Sequence, residues 1–313
     1  MRAYFLQNAE SESRLELKEA PKPEPKPGQL LVRVRAAGLN RGELLRRGLL
    51  KPGPAKIGGT EGAGEVVDTG ERVMGRLPGS FAEYALMDRS DAIPVPQNLS
   101  WDEAAATPIA FLVVHDMLLG QGGLKAGEWL LVTGASSGVG VAAVQAGKAL
   151  GARVIGTSGS AEKLSKLKSL GLDHGIQTRK PDFSREVLEV TGGKGVNLVV
   201  NNVGGSVFAE CVKSLAFQGR LATVGYLDGV LKAEMDIEAL HSKRLRLFGV
   251  SNKHRTAAGR AETVRGFTAD FLPHFAAGRI KPVIDKVFRF EELQQAKQHM
   301  ESDAHLGKIV VRL

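Results

Sequence analysis

A chain of 313 residues is too long for one ordinary hydrophobic core and suggests about two domains. With 43% apolar, 24% charged and 5% aromatic residues, 38 glycines and 13 prolines, the composition is globular and rich in tight turns, which excludes disordered and collagen-like chains. The net charge of +8 attracts polyanions whatever the fold, but no stacking aromatics alternate with the densest basic stretch, His241, Lys243, Arg244 and Arg246 followed by Lys253, His254 and Arg255, so a nucleic-acid site is disfavoured.

In chain order, the alternating prolines of residues 20–28 hold an extended backbone, and Leu30-Leu-Val-Arg-Val-Arg35 follows as a strand. Further short strands are expected around 63–68 and 81–87, separated by Gly-Pro-rich segments at 51–54 and 58–62, which makes an irregular, largely β domain. Trp101-Asp-Glu-Ala-Ala has the acidic first turn of a helix. From about residue 117 strands and helices alternate: strands at 128–133, 153–157, 175–176, 196–200, 219–224 and 244–250, with helices at 138–150, 161–170, 182–190 and 206–215. Six strands with crossover helices predict an α/β, doubly wound parallel Rossmann sheet. The tail carries a long helix (260–277), a strand (283–288), a helix (291–301) and a last strand (308–312) with no glycine signature, and is expected to return to the first domain. The predicted division is residues 1–116 with 257–313, and 117–256.

A single cysteine, Cys211, excludes an internal disulfide and a cysteine-rich metal site. The N-terminal residues show no secretory pattern and no uncharged run has the length of a bilayer span, so a reducing, cytoplasmic protein without a membrane segment is expected.

Thr133-Gly-Ala-Ser-Ser-Gly138-Val-Gly140 joins a buried strand to a helix. There the glycines let the backbone approach a pyrophosphate at the positive end of the helix, and Ser136, Gly138, Val139 and Gly140 become candidate cofactor contacts. An NAD enzyme places an acid at the end of the next strand. This chain has Gly156-Thr157-Ser158-Gly159-Ser160, then Glu162 and Lys163. Ser158 can donate to a 2′-phosphate, Lys163 can supply a charge, and Arg179 after the third strand is a further candidate, so NADPH is the expected cofactor. Short-chain dehydrogenases share the glycine turn but need Tyr-x-x-x-Lys; the residues four positions after Tyr4, Tyr84 and Tyr226 are Asn8, Asp88 and Val230.

Ala36-Ala-Gly-Leu-Asn-Arg-Gly-Glu-Leu44, Gly58-Gly-Thr-Glu-Gly-Ala-Gly64, Gly79-Ser-Phe-Ala-Glu-Tyr84, the turn at 133–140 and Gly307-Lys-Ile-Val-Val311, in this order, resemble the medium-chain dehydrogenase/reductase superfamily over essentially the whole chain. Within it the sequence is similar to the zinc-independent quinone oxidoreductases, including zeta-crystallin-like proteins. The resemblance implies a GroES-like catalytic domain beside the Rossmann domain and NADPH-dependent hydride transfer to a quinone or α,β-unsaturated carbonyl. It also implies a homodimer through the edge of the Rossmann sheet. Zinc-dependent relatives place Cys near residue 38 and His beside Glu61, where this chain has Gly38-Leu39-Asn40 and Gly59-Thr60-Glu61. No metal site is therefore expected, and Glu61 is read as a structural hydrogen-bond acceptor.

By the same resemblance Asn40 is the catalytic-site residue, beside the nicotinamide and substrate, where it hydrogen-bonds a ribose hydroxyl or the acceptor's oxygen. Main chain near Phe248 and Val250 would hold the carboxamide, and Val203, Gly225 and Tyr226 would line the cofactor cleft. Departures from the family pattern fall at Leu49-Leu50, at Leu112-Val-Val-His115, at Thr178 in place of a tyrosine, and in a shortened loop at 67–73. They leave the proton donor unassigned; His115 and Tyr84 are conceivable acids with local structural roles as the alternative. A non-catalytic NADPH-binding sensor or RNA-binding protein of the zeta-crystallin type is the competing class.

Overall fold

The computed structural model describes residues 1–8, 13–44, 53–252 and 254–313. Leu49, Leu50 and Lys253 lie outside the described residues. Two compact units are present: Met1–Ala110 with Arg260–Leu313, and Phe111–Gly259.

The first unit is mainly antiparallel. Its largest sheet runs, in spatial order, Ile284–Arg289, Lys308–Arg312, Gln29–Gly38, Glu61–Val66, Arg72–Arg76 and Ala92–Pro94, with Tyr84–Asp88 also paired to Gln29–Gly38. The C-terminal strands Ile284–Arg289 and Lys308–Arg312 thus lie in one sheet with strands of the N-terminal part. Strands Arg2–Asn8 and Ser13–Glu19, with the short strand Lys56–Ile57, make a second sheet that the sequence pattern does not announce. Around Tyr4, Leu6, Leu39, Phe81, Phe288 and Phe290 the unit buries a continuous apolar cluster. Each such side chain contributes about 1.5–3 kcal/mol by leaving water.

The expected single helix at 260–277 is two, Ala257–Asp270 and Leu272–Ala276. Pro273 sits in the first turn of the second, where its missing N–H costs nothing, and cannot continue the first. Phe267, Phe271 and Phe275 keep one buried face across the break.

In the second unit six parallel strands lie in the order His174–Gln177, Arg153–Ser158, Trp129–Val132, Val196–Asn201, Leu215–Thr223, Arg246–Gly249. Numbered along the chain this is 3-2-1-4-5-6, the dinucleotide-binding order, and its reversal point lies between Trp129–Val132 and Val196–Asn201. Both faces are covered, so the central strands are apolar throughout; Leu130, Leu131, Val132, Val199 and Val200 have no exposed surface. Among the described residues no helix is long and apolar enough to cross a membrane.

Candidate active site

In an open parallel sheet, ligands bind beyond the carboxyl ends of the strands at the reversal point. The Trp129–Val132 strand ends there in a turn that Gly134 makes with φ +59°, a left-handed conformation that side chains disfavour. The turn feeds helix Gly138–Ala149, whose N-cap Ser137 accepts from the Gly140 amide at 3.1 Å. A Cβ on Gly140 would stand 2.5 Å from Gly134 O and 2.7 Å from Ala135 C, so only glycine lets the helix sit this close to the turn. With Ser137 serving Gly140, the leading amides of Gly138 and Val139 are the ones that helix geometry aims at an anion.

The next strand ends on Ser158, buried at 6% exposure, with its Oγ 3.4 Å from Ser136 Oγ and 3.4 Å from the Ser160 nitrogen. Ser160 caps helix Ala161–Lys168 by accepting from Lys163 N at 3.3 Å, which places Lys163 in that helix's first turn. Arg179, two residues beyond strand His174–Gln177, lies against Gly159: a Cβ there would meet its Cγ and Nε at 2.6 Å. The structure therefore brings Ser136, Ser158 and Arg179 together at the carboxyl end of the second strand, with Lys163 on the adjoining helix turn and no carboxylate ending that strand. Thr178 is tied down by donating to Asp182 Oδ1 at 2.7 Å.

Val203, Gly225, Tyr226 and Val250 follow other strands of the sheet at their carboxyl ends, and Phe248 is the last residue but one of strand Arg246–Gly249. Val203 O accepts from Asp228 N at 3.0 Å and Val250 N donates to Thr223 O at 3.3 Å, while Tyr226 is half exposed. Thr133, Asn201 and Asn202 have no task that the sequence alone assigns. Asn202 donates from Nδ2 to Thr133 O at 3.0 Å, and Asn201 Oδ1 accepts from the amides of Val203 (3.1 Å) and Gly204 (3.0 Å). These side chains pin the two strand ends at the reversal point; polar residues closing two apolar runs were the available signal.

The first unit gathers a polar cluster at the ends of three neighbouring strands. Register sets Glu61 opposite Gly38 and Gly38 opposite Val310. Glu61 has no exposed surface, and Gly38 makes its space, because a Cβ there would lie 2.7 Å from Glu61 Oε1. The carboxylate accepts from Asn40 Nδ2 (2.8 Å), the Ile109 amide (2.7 Å) and Lys308 Nζ (2.6 Å), so the expected acceptor role is joined by an ion pair. Asn40 also donates to Thr60 Oγ1 at 3.2 Å. Glu43 accepts from Gly59 N at 2.7 Å and Thr60 Oγ1 at 3.2 Å. Burial pushes the Glu43 carboxyl above the usual carboxylate range and the Glu61 charge adds to it, against those two donors and Lys56.

Tyr84 stands apart from this cluster: Arg33 donates to its hydroxyl at 3.3 Å and the Lys22 ammonium lies 4.2 Å from its ring centre. His115 is buried at the end of helix Pro108–His115 in the other unit's stretch of chain. Burial pushes the Cys211 thiol far up, which makes it inert. Among the described residues, no three His, Cys, Asp or Glu side chains are grouped to hold a metal.

A GroES-like β unit and a 3-2-1-4-5-6 coenzyme sheet define the two-domain oxidoreductases. The zinc-binding dehydrogenase family model matches residues 138–264, and the alcohol dehydrogenase GroES-like domain model matches residues 26–78. The human synaptic vesicle membrane protein VAT-1 homolog is 31% identical over 95% of this chain and 82% of its own. A segment of a phenolphthiocerol/phthiocerol polyketide synthase of Mycobacterium tuberculosis is 32% identical over 96% of this chain, which spans only 14% of that protein. The quinone oxidoreductase of Thermus thermophilus, whose structure was solved free and with NADPH, superposes with a TM-score of 0.83 at 30% identity, covering 100% of both chains. The protein belongs to the medium-chain dehydrogenase/reductase family.

Proposed function

We propose that this protein is an NADPH-dependent reductase that transfers hydride to a quinone or an α,β-unsaturated carbonyl without zinc. The observation that supports the reading is the carboxyl end of strand Arg153–Ser158, where Ser158 stands in place of the carboxylate of an NADH enzyme, Arg179 lies against Gly159 and Lys163 sits in the first turn of the next helix. The Thermus relative's NADPH complex supports the same cofactor. The glycine turn suits the pyrophosphate, since Gly134 makes the tight turn, Gly140 lets the helix begin close against it, and Ser136, Gly138 and Val139 supply donors. Val203, Gly225 and Tyr226 line the path, and the main chain at Phe248 and Val250 holds the carboxamide. NADPH, when bound, supplies the hydride.

Without a Lewis acid to polarise the oxygen, alcohol oxidation is the harder reaction, whereas an electron-poor quinone or conjugated enone needs chiefly to be positioned. In this chain Gly38-Leu39-Asn40 and Gly59-Thr60-Glu61 are the segments where zinc-dependent relatives carry ligands, and Glu61 is already engaged by three donors. Asn40 is assigned to the reacting end. Water within hydrogen-bond reach suffices to give the proton to the product oxygen or enolate.

The same reading includes a homodimer in the cytoplasm. Strand Arg246–Gly249 ends the sheet with one edge unpaired among the described strands, and Leu247, Phe217, Leu231 and Ile237 leave apolar surface exposed on that unit. Oxidation of NADPH, followed with a panel of quinones and enones before and after dialysis against a chelator, tests the activity. Turnover that survives chelation is expected; one tightly held metal per chain whose removal abolishes turnover would overturn the zinc-independent reading.

A further inference from the structure

A lysine beside Ile309, Val310 and Val311 in a buried strand must find acceptors for three N–H groups or lose their hydration uncompensated. Lys308 finds all three: Leu39 O at 2.8 Å, Asn40 Oδ1 at 3.0 Å and Glu61 Oε1 at 2.6 Å. Its protons are thereby used up. Asn40 can be counted in the same way. Both Nδ2 protons are committed, to Glu61 Oε1 and Thr60 Oγ1, and one Oδ1 lone pair is taken by Lys308. One lone pair on Oδ1 is what remains.

The chemistry of the neighbours also fixes which way the amide points. An ammonium has no lone pair to receive an NH₂ group, and a carboxylate in an ion pair has no proton to offer an oxygen. A flipped Asn40 would therefore set NH₂ against Lys308 and C=O against Glu61.

We infer that Lys308 and Glu61 are positioning residues that hold Asn40 as a hydrogen-bond acceptor, so that it receives a ribose hydroxyl of the nicotinamide cofactor and does not donate to the oxygen of the electron acceptor. This rests on the proposed role of Asn40 and chooses between its two possible partners. Asn40 then contributes to cofactor binding rather than to the hydride step, and charge forming on the acceptor's oxygen is met by another donor.

Two readouts test it. In ¹⁵N-labelled protein without cofactor, the Asn40 side-chain amide protons, identified by their loss in Asn40→Ala, exchange slowly in the wild type and at least about tenfold faster in Lys308→Met, as the loss of about 1.4 kcal/mol of orientation predicts. Because that variant strands a buried carboxylate, Lys308→Met with Glu61→Gln removes both charges and serves if the single variant does not fold. Second, NADPH fluorescence titration and saturation kinetics should show Asn40→Ala weakening NADPH about tenfold with kcat at saturation changed less than about twofold. The charge-free pair should weaken NADPH similarly and add nothing in the Asn40→Ala background.

Rapid exchange of the wild-type amide, a fall in kcat at unchanged NADPH affinity, or effects that multiply in the combined variant would each overturn the inference. A wild type that binds no NADPH overturns the preceding reading and the ligand named here, whereas the locking of Asn40 is decided by exchange alone.

Discussion

Replacing Ser158 by Asp is the sharpest perturbation of cofactor choice. Ser158 ends its strand at 6% exposure, with Ser136 Oγ and the Ser160 nitrogen each 3.4 Å from its hydroxyl. A carboxylate in its place has two donors at hand and stays at the strand end. Against a 2′-phosphate about 4–5 Å away, two unit charges repel by about 3–4 kcal/mol at an effective dielectric of about 20. The serine's own bond to the phosphate, about 1.5–3 kcal/mol, is lost as well. Solvent enters around exposed Arg179, so screening and relaxation offset much of that sum; about 3 kcal/mol, or roughly two orders of magnitude, is the expected net effect. NADH lacks the phosphate, and the new carboxylate accepts from its ribose hydroxyl. Steady-state kinetics with both cofactors should therefore show the NADPH to NADH ratio of kcat/KM falling about a hundredfold, with kcat at saturation within about threefold because the change is remote from the hydride. A ratio left unchanged, or equal losses with both cofactors, would refute the assignment of this strand end to the phosphate.

Lys163→Ala should raise the KM for NADPH about tenfold, for about 1.4 kcal/mol, and scarcely move that for NADH; equal losses would make Lys163 a helix-surface residue only. The Glu43 carboxyl is raised in the fold, so at a pH below its unfolded value both states are protonated and burial exacts no penalty, whereas above the raised value the fold carries the full cost of the charge. Thermal melts should accordingly show Glu43→Gln gaining on the wild type as pH rises from the usual carboxylate range, then levelling; a difference independent of pH would contradict this. Sedimentation at micromolar concentration should give a dimer for the wild type and a monomer for Leu247→Lys, which charges the exposed edge strand, and a monomeric wild type would remove the sheet-edge dimer.

Much of the fold is legible because its signals are local. The apolar runs at 129–132 and 196–200 and the glycine turn between strand and helix define the coenzyme sheet without reference to anything distant. The first two strands escape notice for the opposite reason: Ser13–Glu19 is largely exposed, with Leu17 at 40%, so its alternation is faint. Phe267, Phe271 and Phe275, at helical spacing, conceal the break before Pro273. Lys308 is the instructive case. In sequence it is one cation at the start of an apolar strand, and nothing within reach of a local window pairs with it. Its partners Asn40 and Glu61 are 268 and 247 residues away, and only the strand register brings them together.

Hydride transfer from NADPH to an electron-poor acceptor can be followed by isotope transfer. The protein would be incubated with NADPH dideuterated at the nicotinamide C4 and a panel of quinones and enones, the reduced nicotinamide followed by absorbance and the enone products by mass spectrometry. Cofactor oxidation is expected only when an acceptor is present, with a saturated ketone carrying one deuterium on its β-carbon and a solvent proton on its α-carbon. NADPH that binds but leaves the whole panel unreduced, or a saturated ketone without deuterium, would contradict it.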